Sequence, residues 1–393
     1  LFEQQSPSVQ DFLLNTCLLP RITTQMAVEI TGNKKSGEIL EYLYQNNLFT
    51  TKGMHHEAVY EYNPLLRDFL MARFLEAHTD DEIKRLRHNA AQVLSNAGRF
   101  ETAVELYCVA SDWDGLMALI EQQGPRLCEQ GRYTTLGKCL DQLPGEMLAH
   151  NSWLSYWLGK CELLASQPQA QEHFESAYEQ FIANGDQNGA LLAWSGIVSA
   201  ICNSKKDLRQ LDHWILEFDK RVASNEPLSA EIEVAVIPAM LNALVWRQAD
   251  NPTIAGWAER AYSLLANAGN NLEVRIQSGL ALIYCHVWVS GDIGKARAVA
   301  DTLEQAADIR GASHFSQILA QQALASSCLL TGELEQGLRH VDKATALAEN
   351  SGIHIADPLV FGTGAYLSLC AGNVSQADEF LQSMANAPHV ADR

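Results

Sequence analysis

Gly291-Asp292-Ile293-Gly294-Lys295-Ala296, Gly332-Glu333-Leu334-Glu335-Gln336-Gly337 and Gly372-Asn373-Val374-Ser375-Gln376-Ala377 are one phrase written three times, about 41 residues apart. Each copy opens on a glycine, the residue that ends a helix by turning left-handed. A polar and an aliphatic residue follow, and the copy closes on Ala296, Gly337 or Ala377, small side chains suited to a close approach of two helices. Gly98-Arg99-Phe100-Glu101-Thr102-Ala103 carries the same phrase early in the chain.

Further turn signals extend this series through Gly131-Arg132, Gln167-Pro168, Ser204-Lys205-Lys206 and Asp250-Asn251. A second series interleaves with it at the same spacing: Gly185-Asp186, Ser224-Asn225-Glu226-Pro227, Gly269-Asn270, Arg310-Gly311 and Ser351-Gly352. Two turn series at one period mean two helices per repeat, the signature of an α-solenoid. The pattern resembles the tetratricopeptide repeat, in a form longer than the usual 34 residues or so. Residues 151–393 are expected to hold about six such repeats and residues 76–150 a connecting helical arm. The chain stops at Arg393 without an evident polar capping helix, so continuation of the array beyond it is expected.

Residues 1–75 follow a different pattern. A short amphipathic helix around Val9–Leu14 stops near Pro20. Thr23-Thr24 can cap a second helix that ends at Gly32, and Ser36 can cap a third. The period then changes. Leu48–Thr51 and Ala58–Tyr62 read as two strands flanking a polar loop, Lys52 to Glu57, and Asn63-Pro64 opens a helix from about Leu65 to Leu75. Three helices, a β-hairpin wing and a closing helix make a winged-helix domain. The expected fold is therefore mainly α, a small winged-helix domain followed by a tetratricopeptide-like superhelix.

Three runs carry a family resemblance: Phe12-Leu13-Leu14-Asn15-Thr16-Cys17-Leu18-Leu19-Pro20-Arg21, Ala27-Val28-Glu29-Ile30-Thr31-Gly32 and Tyr62-Asn63-Pro64-Leu65-Leu66-Arg67-Asp68-Phe69-Leu70. Together they resemble the winged-helix part of MalT-like regulators, which are LuxR-type ATP-binding signal-transducing proteins of many domains that also use the long repeat form. The resemblance covers about 65 residues and places its motif at Tyr62, Asn63, Pro64 and Arg67. Where this chain has Asn63 the family usually has His, and related nucleotide-switch ATPases use a winged-helix His to sense bound nucleotide. The resemblance implies a winged helix that packs on a nucleotide-binding core rather than reading DNA. It also implies an ATPase domain upstream of Leu1, ATP as the cofactor of the whole protein, and a DNA-binding output domain downstream. Homo-oligomerisation is implied as well. A chain opening on Leu1 rather than Met agrees with a fragment.

Composition bounds the alternatives. The formal net charge is −19, which repels nucleic-acid phosphates. The basic clusters are Lys34-Lys35 and Lys84-Arg85-Leu86-Arg87-His88, the second read as a solvated helix face, so no direct nucleic-acid binding is expected. No apolar run reaches the ~18–20 residues that span a bilayer, and Leu1–Gln5 has no signal-peptide pattern. Nine cysteines form no C-x-x-C pair, which points to a reducing, cytoplasmic setting.

Chemistry is sparse. No phosphate loop, nucleophile elbow or metal-protease motif occurs. His55-His56-Glu57 reads as wing loop rather than a metal site, and Asp80-Asp81-Glu82 as the acidic first turn of a helix. No catalytic residue, metal site or cofactor is expected within these residues. Tryptophans recur along the array, and core packing accounts for most of them. Trp153, Trp157 and Trp194, in the first repeats, are the candidates for binding a small-molecule inducer or a regulatory protein. The expected function is a sensor and interaction segment of an ATP-dependent transcriptional regulator. The alternative is a free-standing repeat scaffold that binds only protein.

Overall fold

The computed structural model describes residues 2–54, 58–204, 206–222, 228–269, 271–307 and 312–386. The chain forms two compact units, Leu1–Gln122 and Gln123–Arg393. The wing-loop residues His55-His56-Glu57, the turn residues Lys205, Ser224–Pro227, Asn270 and Arg310-Gly311, and the final residue Arg393 lie outside the described residues.

The first unit opens with a 3-10 turn, Phe2–Gln4, then α1 (Pro7–Thr16), β1 (Ile22–Thr23), α2 (Thr24–Thr31), α3 (Ser36–Gln45), β2 (Thr50–Met54), β3 (Ala58–Tyr62) and α4 (Pro64–Ala77). Local chemistry accounts for the boundaries. The Thr23 hydroxyl accepts a bond from Met26 N at 3.2 Å to cap α2, and Gly32 ends that helix at φ 67°. Ser36 begins α3 but does not cap it, because its hydroxyl donates to the Asn33 carbonyl instead. The strand read from Leu48 begins only at Thr50, since Asn47 and Phe49 both hold φ near 51°. It runs on to Met54, through part of the stretch read as loop. The short β1 joins as a third strand in the antiparallel order β1-β3-β2, with Ile22 opposite Tyr60 and Thr50 opposite Tyr62. Phe12, Leu40, Leu43, Leu70 and Phe74, on α1, α3 and α4, are among its buried core residues.

Next come α5 (Asp80–Asn96) and α6 (Phe100–Ala110), with α5 packed on α2. Asp80-Asp81-Glu82 is indeed a helical first turn, and Glu82 completes a reciprocal capping box with Thr79. α7 (Trp113–Glu129) runs across the division between the units.

The second unit continues with α8 (Tyr133–Leu140) and α9 (Gly145–His150). Six helix pairs follow: α10 (Ser152–Glu162) with α11 (Gln167–Ala183), α12 (Gln187–Ser204) with α13 (Gln210–Val222), α14 (Ala230–Arg247) with α15 (Ile254–Asn267), α16 (Leu272–Cys285) with α17 (Ile293–Ala307), α18 (His314–Thr331) with α19 (Leu334–Ser351), and α20 (Asp357–Cys370) with α21 (Val374–Asn386). The first helices of successive pairs stack on one another from α10 through α20. The repeated phrase has the expected physical basis. Gly332 ends α18 at φ 84°, and a Cβ on Gly337 would sit 2.7 Å from Leu367. Between α16 and α17 a π-helical turn, His286–Ser290, carries the exposed Trp288.

Candidate functional site

In the first unit the motif read from sequence is partly structural and partly surface. Tyr62 is buried on β3, its hydroxyl 2.7 Å from that of Thr16 at the end of α1. Burial pushes its phenol far above the usual range. Arg67 Nε donates to the Cys17 carbonyl at 3.2 Å, and the Cys17 thiol is pushed up to about 12 by its own burial. Tyr62 and Arg67 therefore tie α1 to β3 and α4. Asn63 is exposed and caps α4, accepting from Leu65 N at 3.0 Å, with Pro64 in the first turn. Its backbone N–H donates to the Phe49 carbonyl at 2.7 Å. Phe49 is an aromatic residue held at positive φ, a conformation that needs support from its surroundings. Its ring is 50% exposed, as are Leu65 at 79% and Phe69 at 41%. Sequence reading missed Phe49, because a positive φ on an aromatic residue leaves no compositional sign.

In the second unit the three tryptophans read as candidates have different fates. Trp194 is 1% exposed and donates its indole N–H to the Trp214 carbonyl at 2.8 Å, so it is a core residue with no ring face for a ligand. Trp153 is half-buried, edge-on to Phe181 at 5.0 Å and to Tyr156 at 5.7 Å. Trp157 is buried against Gly124, yet its indole N–H has no hydrogen-bond partner among the described residues.

Trp157 leads to a cluster that sequence reading did not single out. Trp153, Tyr156, Trp157 and Lys160 fall at helical spacing along α10. Lys160 is partly buried and interacts with Tyr156, Glu273, Tyr133 and Cys128. These groups come from α10, the start of α16, the start of α8 and the end of α7. Burial alone would pull the ammonium down. Tyr156, Glu273, Tyr133 and Cys128, which are negative only when ionised, act the other way and raise the lysine above its usual range. Burial raises the phenols of Tyr133 and Tyr156 and takes the Cys128 thiol up to about 11, so all three keep their protons.

The fifth helix pair helps to wall this region. Ser313, capping α18, donates its hydroxyl to the Glu129 carbonyl, and Phe315 packs edge-on to Tyr133 at 5.5 Å. Gly131 lets the Phe315 ring in, since a Cβ there would stand 2.7 Å from it. The one signal available in sequence was a lone lysine closing the apolar run Trp153-Leu154-Ser155-Tyr156-Trp157-Leu158-Gly159.

Among the described residues no group of three or more metal-ligating side chains converges, and no helix is long and apolar enough to cross a membrane.

Comparison with known proteins bears on the fold of the chain. Residues 1–82 match the MalT winged helix domain. A stretch of 175 residues is 25% identical to the serine/threonine-protein kinase PknK of Mycobacterium tuberculosis and of Mycobacterium bovis, covering 44% of this chain and 16% of each kinase. Among solved structures, a Signal Transduction ATPase with Numerous Domains (STAND) protein with a tetratricopeptide repeat sensor, from Pyrococcus horikoshii, superposes over 100% of this chain and 58% of its own length. The TM-score is 0.55 at 12% identity, a likeness of fold. The chain thus spans a small part of the kinases and somewhat over half of the archaeal protein. It carries a MalT-type winged-helix domain at its N-terminus, followed by a tetratricopeptide-like helical array.

Proposed function

We propose that this chain is the sensor and interaction segment of an ATP-dependent transcriptional regulator. The observation that carries the reading is the succession, in one chain, of a MalT-type winged helix and a tetratricopeptide-like array. The array binds a small effector or a regulatory protein. The winged helix passes that event to a nucleotide-binding domain elsewhere in the protein, which binds and hydrolyses ATP. Such coupling requires the effector to bind two states with different affinity. The exposed Phe49, Leu65 and Phe69 around the Asn63 cap supply the winged helix with an apolar face for that domain. The array performs no chemistry itself, and the net charge of −19 disfavours direct contact with DNA. Nine free cysteines suit a reducing cytoplasm.

The test is to read the parent open reading frame on both sides. A phosphate-loop ATPase before Leu1 and a DNA-binding domain after Arg393 support the regulator. A start codon beside Leu1 and a stop after Arg393 leave the alternative, a free-standing scaffold. A tryptophan-fluorescence titration separates the two independently, since a scaffold responds only to protein.

A further inference from the structure

We infer that the contact between the start of α18 and the end of α7 is a conformational switch: made, it holds the last turn of α7 against the array, and broken, it sets that turn free. The inference rests on the sensor reading for its purpose and names the place where an event on the array would be registered. α18 packs along α16, α17, α19 and α20, as a repeat helix should. Its first turn makes a different contact. The Ser313 hydroxyl donates to the carbonyl of Glu129, the last residue of α7, and Phe315 enters a notch at Gly131, edge-on to Tyr133 at the start of α8. Gly131 stands at φ 73°, and a Cβ on it would lie 2.7 Å from the Phe315 ring. Phe315 is 3% exposed and Tyr133 9%, so parting them uncovers two aromatic rings.

The bonded partners are 184 residues apart in the chain. Between them lies a stack in which each pair is placed by its neighbours, so the position of α18 carries the summed rotations of the pairs before it. A small change at any one interface therefore reaches this meeting point. A ring seated in a backbone notch is either in or out, which turns a graded change into a two-state one. The receiving element suits the role. α7 begins in the first unit and ends in the second, and Gly124-Pro125 lies just past the division. Pro125 has no N–H for the Glu121 carbonyl, so the last turn of α7 is weakly tied to the turns before it. Trp157 of α10 packs on Gly124, and α18 holds Glu129. The turn past the proline is thus kept in place by the array.

The test is hydrogen–deuterium exchange on the whole chain. Phe315→Ala is expected to speed exchange of the amides from Arg126 to Tyr133 roughly tenfold or more, with those of α12 and α14 unchanged. Ser313→Ala is expected to give a smaller rise at the same amides. Gly131→Ala, which expels the ring without altering α18, is expected to match Phe315→Ala and serves in its place should that variant fail to fold. Two further variants separate a switch from ordinary packing. Leu265→Ala, on α15 within the stack that leads to α18, is expected to speed exchange from Arg126 to Tyr133 as well. Leu367→Ala, on α20 and so beyond α18, is expected to leave those amides alone. Three results overturn the inference: unchanged exchange there in Phe315→Ala or its Gly131→Ala substitute, no response there to Leu265→Ala, or an equal rise in Leu265→Ala and Leu367→Ala, which marks general loosening. The sensor reading fails separately, on the parent reading frame, and would leave this coupling standing.

Discussion

Asn63 occupies a position where a side chain must serve the backbone of its own domain before it can serve anything else. Its side-chain carboxamide caps α4, while its backbone N–H, which any residue but proline would keep, donates to the Phe49 carbonyl. Replacing it by Ala is expected to lower the stability of the first unit by about 1 kcal/mol, measured by urea unfolding, while leaving the fold intact. Trp194 gives the opposite lesson. Read from sequence it could have lined a groove; in the structure it is fully buried with its indole satisfied. Trp194→Ala is expected to destabilise the second unit by about 3–5 kcal/mol, so any loss of binding would follow from unfolding. Sequence alone does not separate Trp157 from Trp194. Both lie on strongly apolar helices, and only the positions of Gly124 and Trp214 decide which indole is left without a partner.

At the level of elements the sequence was far more legible. Gly332 and Gly352 mark the ends of α18 and α19 because a left-handed residue must stand there, and the small sixth residue of the repeated phrase follows from close helix packing. The same logic governs glycines outside the phrase. The Phe174 ring on α11 is wedged between Gly159 of α10 and Gly196 of α12, each within 2.7 Å of where a Cβ would stand. Gly196→Val is expected to displace that ring at a cost of about 1–3 kcal/mol. Gly256→Ala, on the open face of α15, is expected to stabilise by up to about 1 kcal/mol. Thermal melts of the two variants should move in opposite directions. What remained illegible were the short strand β1 and the late start of β2, both set by backbone geometry rather than by side-chain pattern.

At the scale of the whole molecule, two histidines among the described residues resist protonation. His286 is buried, with Nε2 2.6 Å from the Tyr262 hydroxyl; burial and Lys295 lower its pKa against the pull of Asp292. His340 pairs its Nδ1 with Gln321 at 2.8 Å; burial lowers it, as do Lys343 and Arg339, and Glu304 opposes them. A folded-state pKa below the unfolded value means that the unfolded chain takes up protons first. Stability is therefore full above about pH 6.5 and is lost as pH falls through the depressed values. Melts between pH 8 and pH 5 are expected to show that decline, and His340→Gln to lessen it. The bond from Ser313 to Glu129 reaches across 184 residues of chain, which no periodicity could announce. An ordinary stack of repeats pays out under tension one pair at a time, like a spring, because each pair touches only its neighbours. Here the loop from α7 to α18 is fastened to itself. A pull on its two ends must first break that clasp, so the array should resist as a buckled belt does, giving little until the fastening yields and much thereafter.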